Sequence, residues 1–150
     1  MKKLKTIEAV AAYNLLKTAK INKVSTDADK FAIIKTTRAL KKIAEDFESF
    51  KTDSIEALKG ENHDEMVELA QKWQKEEADK VEVTLTAEEM QKVNAYFSKY
   101  NSNITDCIKE DSKKVHEIEA KEISEESFMQ LVGGNDWNIE QIMSIENVLR

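Results

Sequence analysis

Residues 26–60 read TDADKFAIIKTTRALKKIAEDFESFKTDSIEALKG, and their periodicity decides the fold class. Thr26 offers a capping hydroxyl, and Asp27 and Asp29 place carboxylates where the positive end of a helix dipole favours them. No Pro or Gly interrupts the run before Gly60, which is well placed to end it. Within it Ile33, Leu40 and Phe47 recur every seven residues, with Thr36, Ile43, Phe50 and Ala57 at the complementary spacing. That is a heptad seam. Ile34, Ala44 and Ile55 widen it, which suits a helix packed against more than one neighbour. A helix over about 26–59 at 1.5 Å per residue is ~50 Å long, so an elongated molecule or a bent helix is expected.

A second stretch matches the first. Thr86-Ala87-Glu88-Glu89 has the form of a capping box, and behind it Met90, Phe97 and Ile104 repeat every seven with Val93, Tyr100 and Cys107 between them. This predicts a helix over 87–114. Two seams of this kind can cover each other as an antiparallel pair crossing at roughly 20°.

Shorter elements fill the rest. Thr6 reads as the cap of a helix to about Ala19 with Ile7, Val10, Ala11 and Leu15 on its apolar stripe. Glu61-Asn62-His63-Asp64 starts a third helix with Met66, Leu69, Ala70 and Trp73 on one face. Val81, Val83 and Leu85 alternate with polar residues as in a short strand, and the alternation in 115–123 offers it a partner. Ser124 opens a short helix that Gly133-Gly134 closes, and a tail with Trp137, Ile139, Ile142, Met143, Ile145, Val148 and Leu149 follows over 124–149. That tail is apolar on more than one side, so it either packs on the hairpin or is offered to another chain.

Composition agrees with this reading. The chain has 150 residues, of which 41% are hydrophobic, enough for one modest core, and a single helical domain over 1–150 is expected. Charged residues make up 35%, against about 25% in typical globular proteins. With three Gly and no Pro, the tight turns of an all-β sandwich or barrel have few residues to build them. The expected class is mainly α: an elongated antiparallel long-helix hairpin, shorter flanking helices and a minor two-stranded β-ribbon. No apolar run approaches the roughly 20 residues of a membrane span, and the N-terminus lacks the apolar core of an export signal, so a cytoplasmic protein with no membrane partner is expected. Cys107, the single cysteine, excludes an internal disulfide.

Charge divides the chain. Residues 1–59 carry 13 Lys/Arg against 8 Asp/Glu, and residues 60–150 carry 10 against 21, which gives +5 and −11. One half of the folded chain can therefore lie against the other. The feature that could serve a polyanion is the cluster Lys30, Lys35, Arg38, Lys41 and Lys42, in which Lys35, Arg38 and Lys42 share one helical face as phosphate binding requires, a solvated face or one paired with the acidic second half being the simpler reading. No aromatic is interleaved with them for base stacking on this reading, and the acidic remainder repels a phosphate backbone, so nucleic acid is the alternative rather than the leading partner.

Residues that could carry chemistry are few. His63 stands beside Asp64 and Glu65, and His116 beside Glu117 and Glu119, but neither fits the spacing that puts two metal ligands on one helical face, and surface histidines among charges are the simpler reading. Cys107 falls on the seam with Asp106, Glu110 and Asp111 nearby, a setting opposite to the electropositive one a reactive thiol needs. Gly133-Gly134 is not followed by Lys-Ser/Thr, so it is a helix stop rather than a phosphate loop. No catalytic residue, cofactor or metal is expected. The contacts expected to dock a protein partner, or a second copy, are Trp137, Ile142, Met143 and Ile145, with intramolecular core as their other use.

The segment Leu4–Tyr13, the run Arg38-Ala39-Leu40, the run Phe47-Glu48-Ser49-Phe50 and the segment Glu117–Glu126 together resemble a family of small uncharacterised proteins of tailed bacteriophages and prophages. The resemblance covers about half the chain. It implies a virus-related setting, in particle assembly or in the cytoplasm of the bacterial host, and it carries over no site residues.

Overall fold

The computed structural model describes all of residues 1–150. It is mainly helical. In chain order it comprises β1 (Lys2–Lys5), α1 (Thr6–Leu16), α2 (Asp27–Ala57), α3 (His63–Ala78), α4 (Ala87–Ser112), β2 (Val115–Ile118), α5 (Glu125–Gly133) and α6 (Ile139–Leu149). The chain divides into two compact units, Met1–Phe50 with Glu110–Arg150, and Lys51–Lys109, where composition suggested a single domain. Each unit has its own packing logic.

The first unit holds the main core. The inward face of α2, with Ile33, Leu40 and Ile43, shares one buried cluster with Leu4, Ala9, Ala12, Leu16, Ile118, Ile123, Leu131, Ile145, Val148 and Leu149. Each large aliphatic side chain buried there contributes about 1.5–3 kcal/mol of transfer free energy. Helix α1 packs on α6, and α5 packs on α6. The apolar stripe of α1 is not the expected one: Thr6, Ala9, Ala12 and Leu16 are buried, whereas Ile7 and Ala11 face solvent. Small residues face the core because α6 approaches there, leaving the bulkier Ile7 outside.

The ribbon also differs from expectation. Residues 81–85 form no strand and are anchored instead by Glu76, whose carboxylate accepts from the Thr84 backbone at 2.8 Å and its hydroxyl at 2.7 Å. The strand at 115–118 pairs antiparallel with Lys2–Lys5, in the register Lys2↔Ile118 to Lys5↔Val115. Leu4 and Ile118 point into the core, and on the other face Lys3 meets Glu117 at 3.5 Å. Thr6 is the first helical residue rather than the cap. Its hydroxyl lies 2.7 Å from His116 Nε2, and its backbone N–H donates to Lys114 O at 2.9 Å.

In the second unit the end of α2 runs antiparallel to α4. As numbering rises along α2 it falls along α4: Ser54 Oγ is 3.7 Å from Cys107 Sγ, Tyr100 OH donates to Ile55 O at 2.7 Å, and Gly60 N donates to Tyr96 OH at 3.2 Å. The α2 seam finishes on the buried Ser54, while Ile55 and Ala57 are exposed. A Cβ at Gly60 would stand 3.3 Å from both Asn62 Oδ1 and Tyr96 Cε2, a tight approach that those side chains would have to relieve by a few tenths of an ångström. Thr86 and Glu89 form the expected capping box of α4, the Glu89 backbone donating to Thr86 Oγ1 at 3.1 Å and the Thr86 backbone to Glu89 Oε1 at 2.9 Å.

Candidate functional site

The C-terminal tail is one side of the first unit's core, and Met129, Ile139 and Met143 are exposed on its outer surface. Three sets of hydrogen bonds fix it. At the start of α5, Asp29 of α2 accepts from Ser127 Oγ at 2.6 Å, Ser124 Oγ at 3.1 Å and Ser124 N at 3.3 Å. The Ser127 hydroxyl above all, and then the two Ser124 donors, hold the Asp29 carboxyl below its ordinary value. After α5, Asn135 accepts from Lys20 N and donates to Lys20 O, both at 2.8 Å. At the end of α6, Ile123 N donates to Leu149 O at 3.0 Å and Arg150 Nη1 to Ile123 O at 2.6 Å.

Helix α6 begins with its own capping box, Asn138 and Gln141 exchanging bonds of 2.9 Å in both directions. Ile145, Val148 and Leu149 then fall inside. Ile145 is therefore core and not a surface contact, because α6 turns that side onto α1 and α5. Trp137 is half-buried against the same core, and Ile142 is half-buried. Only Met143 of the four expected contacts is open to solvent, at 61%. Ile139, four residues earlier on the same face, is 76% exposed, and sequence reasoning did not single it out.

Met143 stands between two shallow grooves. One, of about 430 Å³, is lined by Glu8, Glu140, Met143, Ser144 and Asn147. The other, of about 560 Å³, is lined by Lys2, Glu122, Met143, Glu146, Asn147 and Arg150. Both are open, so they suit the side chains of a macromolecule better than an enclosed small ligand.

The outer face of α2 is the second candidate. Lys35, Arg38 and Lys42 are exposed on it, as their spacing predicts, though Lys35 reaches Glu119 at 3.6 Å. Against the expectation that no aromatic is interleaved with the basic cluster, Phe31, one turn before Lys35, is 69% exposed on the same face, and Ile34 beside it is 36% exposed. The available signal for Phe31 was its position off the seam of Ile33, Thr36 and Leu40. The Lys35–Glu119 and Lys3–Glu117 pairs show the basic N-terminal and acidic C-terminal segments meeting inside one unit.

The histidines are not surface residues among charges. His116 is held by Thr6, and in the second unit His63 Nδ1 lies 2.5 Å from Tyr96 OH. The His63 ring packs edge-on to Tyr96 and Phe97 and tilted against Tyr100, while Tyr96 and Tyr100 stack at 5.7 Å. These rings tie the turn at Gly60 to α4. No group of three or more His, Cys, Asp or Glu converges tightly enough to hold a metal ion. Cys107 is half-buried against Ser54. No helix is long and apolar enough to cross a membrane.

No protein-family model matches the chain, and neither a curated protein nor a solved structure shows significant similarity to it.

Proposed function

We propose that this chain is a non-enzymatic interaction protein of a tailed phage or prophage, docking a protein partner or a second copy of itself through its helical faces. The observation that carries the reading is α6, whose inner side is sealed core while Ile139 and Met143 stand exposed on its outer side, Met143 between two open grooves. The viral setting is supported by the resemblance of the Leu4–Tyr13 and Glu117–Glu126 segments. The test is co-purification from bacterial cells with the wild-type chain, the Ile139→Asn/Met143→Asn variant and a control, Met129→Asn. A partner or second copy recovered by wild type and control but lost by the double variant supports the reading. Equal recovery by all three contradicts it.

A polyanion is the second reading, with Lys35, Arg38 and Lys42 contacting phosphates. The exposed Phe31 favours it, since base–aromatic stacking contributes about 1–3 kcal/mol per base. Fluorescence anisotropy with a single-stranded oligonucleotide tests this: binding that weakens steeply with salt and is lost on reversing Arg38 and Lys42 supports it.

A further inference from the structure

We infer that the chain associates with itself head to tail, the outer ridge of α6 on one copy seating on the outer ridge of α2 on the next. This rests on the reading of α6 as a docking face and names its occupant. The α6 ridge presents Ile139 and Met143 flanked by Glu140 and Glu146. The α2 ridge presents Phe31 and Ile34 followed by Arg38 and Lys42. Each therefore offers two exposed apolar side chains. Around Met143 the carboxylates Glu8, Glu122, Glu140 and Glu146 outnumber the cations Lys2 and Arg150, so the surround of α6 is net acidic where that of Arg38 and Lys42 is basic.

Charge decides between the ways two copies can meet. An isologous contact of α6 on α6 sets Glu140 and Glu146 against their own copies, and α2 on α2 does the same to Arg38 and Lys42; like charges so placed oppose association. The crossed pairing instead sets the net acidic surround of α6 against Arg38 and Lys42. Lys35 is engaged by Glu119, but Arg38, Lys42, Glu140 and Glu146 make no ion pair within the chain, so all four are available to a second copy. The ridges also match in reach. At 1.5 Å per residue, Phe31 to Lys42 spans about 16 Å and Ile139 to Glu146 about 10 Å, so the shorter ridge fits along the longer one. A contact of one helix on another lies at the low end of interface sizes, which makes the association weak and sensitive to salt. Because donor and acceptor faces differ, each copy keeps one of each free, and growth continues past the dimer.

The test is sedimentation velocity on the full chain from about 10 µM to about 1 mM at low and high salt. The wild-type mass is expected to rise with concentration beyond a dimer at low salt and to fall back at high salt. Arg38→Glu, which spoils the α2 ridge, and Ile139→Asn/Met143→Asn, which spoils the α6 ridge, should each stay monomeric, with affinity at least about tenfold weaker. Both substitutions are on exposed positions, and unchanged melting curves confirm that they fold. Mixed in equal amounts, the two variants should form a dimer that grows no further, since one supplies the only intact α6 ridge and the other the only intact α2 ridge. A wild-type chain monomeric throughout overturns the inference and leaves α6 free to dock a different protein. Association that survives Arg38→Glu also overturns it. Association lost with Arg38→Glu but kept by the Ile139/Met143 variant overturns it too, since the contact then does not use α6, and the docking reading of α6 is left to the co-purification of the same variant.

Discussion

Ser127 Oγ donates to Asp29 Oδ2 at 2.6 Å, joining the first turn of α2 to the first turn of α5 across 98 residues of sequence. The same carboxylate takes both donors of Ser124, the residue that caps α5 by accepting from Ser127 N at 3.1 Å. One acid thus aligns two helix starts and, through α5, places the tail.

Asp29→Ala should accordingly lower stability by about 1 kcal/mol, at the low end for bonds to a charged group because the site is partly solvated. The sign with pH follows from the depressed carboxyl. Its contribution is fully present above the ordinary value of 3.8 and is lost as pH falls through the lower folded value. Chemical denaturation of wild type and variant between pH 7 and pH 3 should show the difference narrowing only at the acid end. A difference constant across that range contradicts the assignment.

Ile145 and Met143 lie two residues apart and should respond oppositely. Ile145→Ala removes a fully buried side chain and should cost about 2–4 kcal/mol, whereas Met143→Ala should change stability by under about 0.5 kcal/mol. Urea titrations of the two variants check this. Similar losses for both would place Met143 in the core.

Thr36 sits on the buried face of α2 with its hydroxyl unbonded. Thr36→Val keeps the shape and removes the desolvated oxygen, so it should stabilise the chain by about 0.5–1 kcal/mol. A melting temperature below wild type would show that the hydroxyl has a partner.

Tyr100 is buried and its hydroxyl donates to Ile55 O at 2.7 Å. Tyr100→Phe should cost about 1 kcal/mol, because the ring still fills its place while the carbonyl loses its donor. An unchanged melting temperature would show that water replaces the bond.

The long helices were legible in the sequence because their signals are local: a cap, a seven-residue repeat and no breaker from Thr26 to Lys59. The ribbon was not, because alternation in Val81–Leu85 is a local pattern, whereas Lys2–Lys5 pairs with a strand more than 100 residues away. The face of α1 was misread for a related reason. Ile7, Val10 and Leu15 compete with Ala9, Ala12 and Leu16 around the same short helix, and only the approach of α6 decides between them. At the candidate surfaces, the spacing of Lys35, Arg38 and Lys42 placed them on one exposed face. Ile145 could not be told from Met143 before its neighbours were known, since both belong to a segment apolar on several sides.

Methionine oxidation by peroxide reads the central claim, that the outer side of α6 is covered in the working state. Met129, on α5 and outside both grooves that Met143 lines, is exposed, and Met66 is buried, so both serve as internal references. In dilute purified chain Met143 and Met129 should oxidise at similar rates and Met66 far more slowly. In bacterial cells producing the chain, Met143 should be protected relative to Met129 by at least about threefold, and an unchanged ratio between the two would contradict the account.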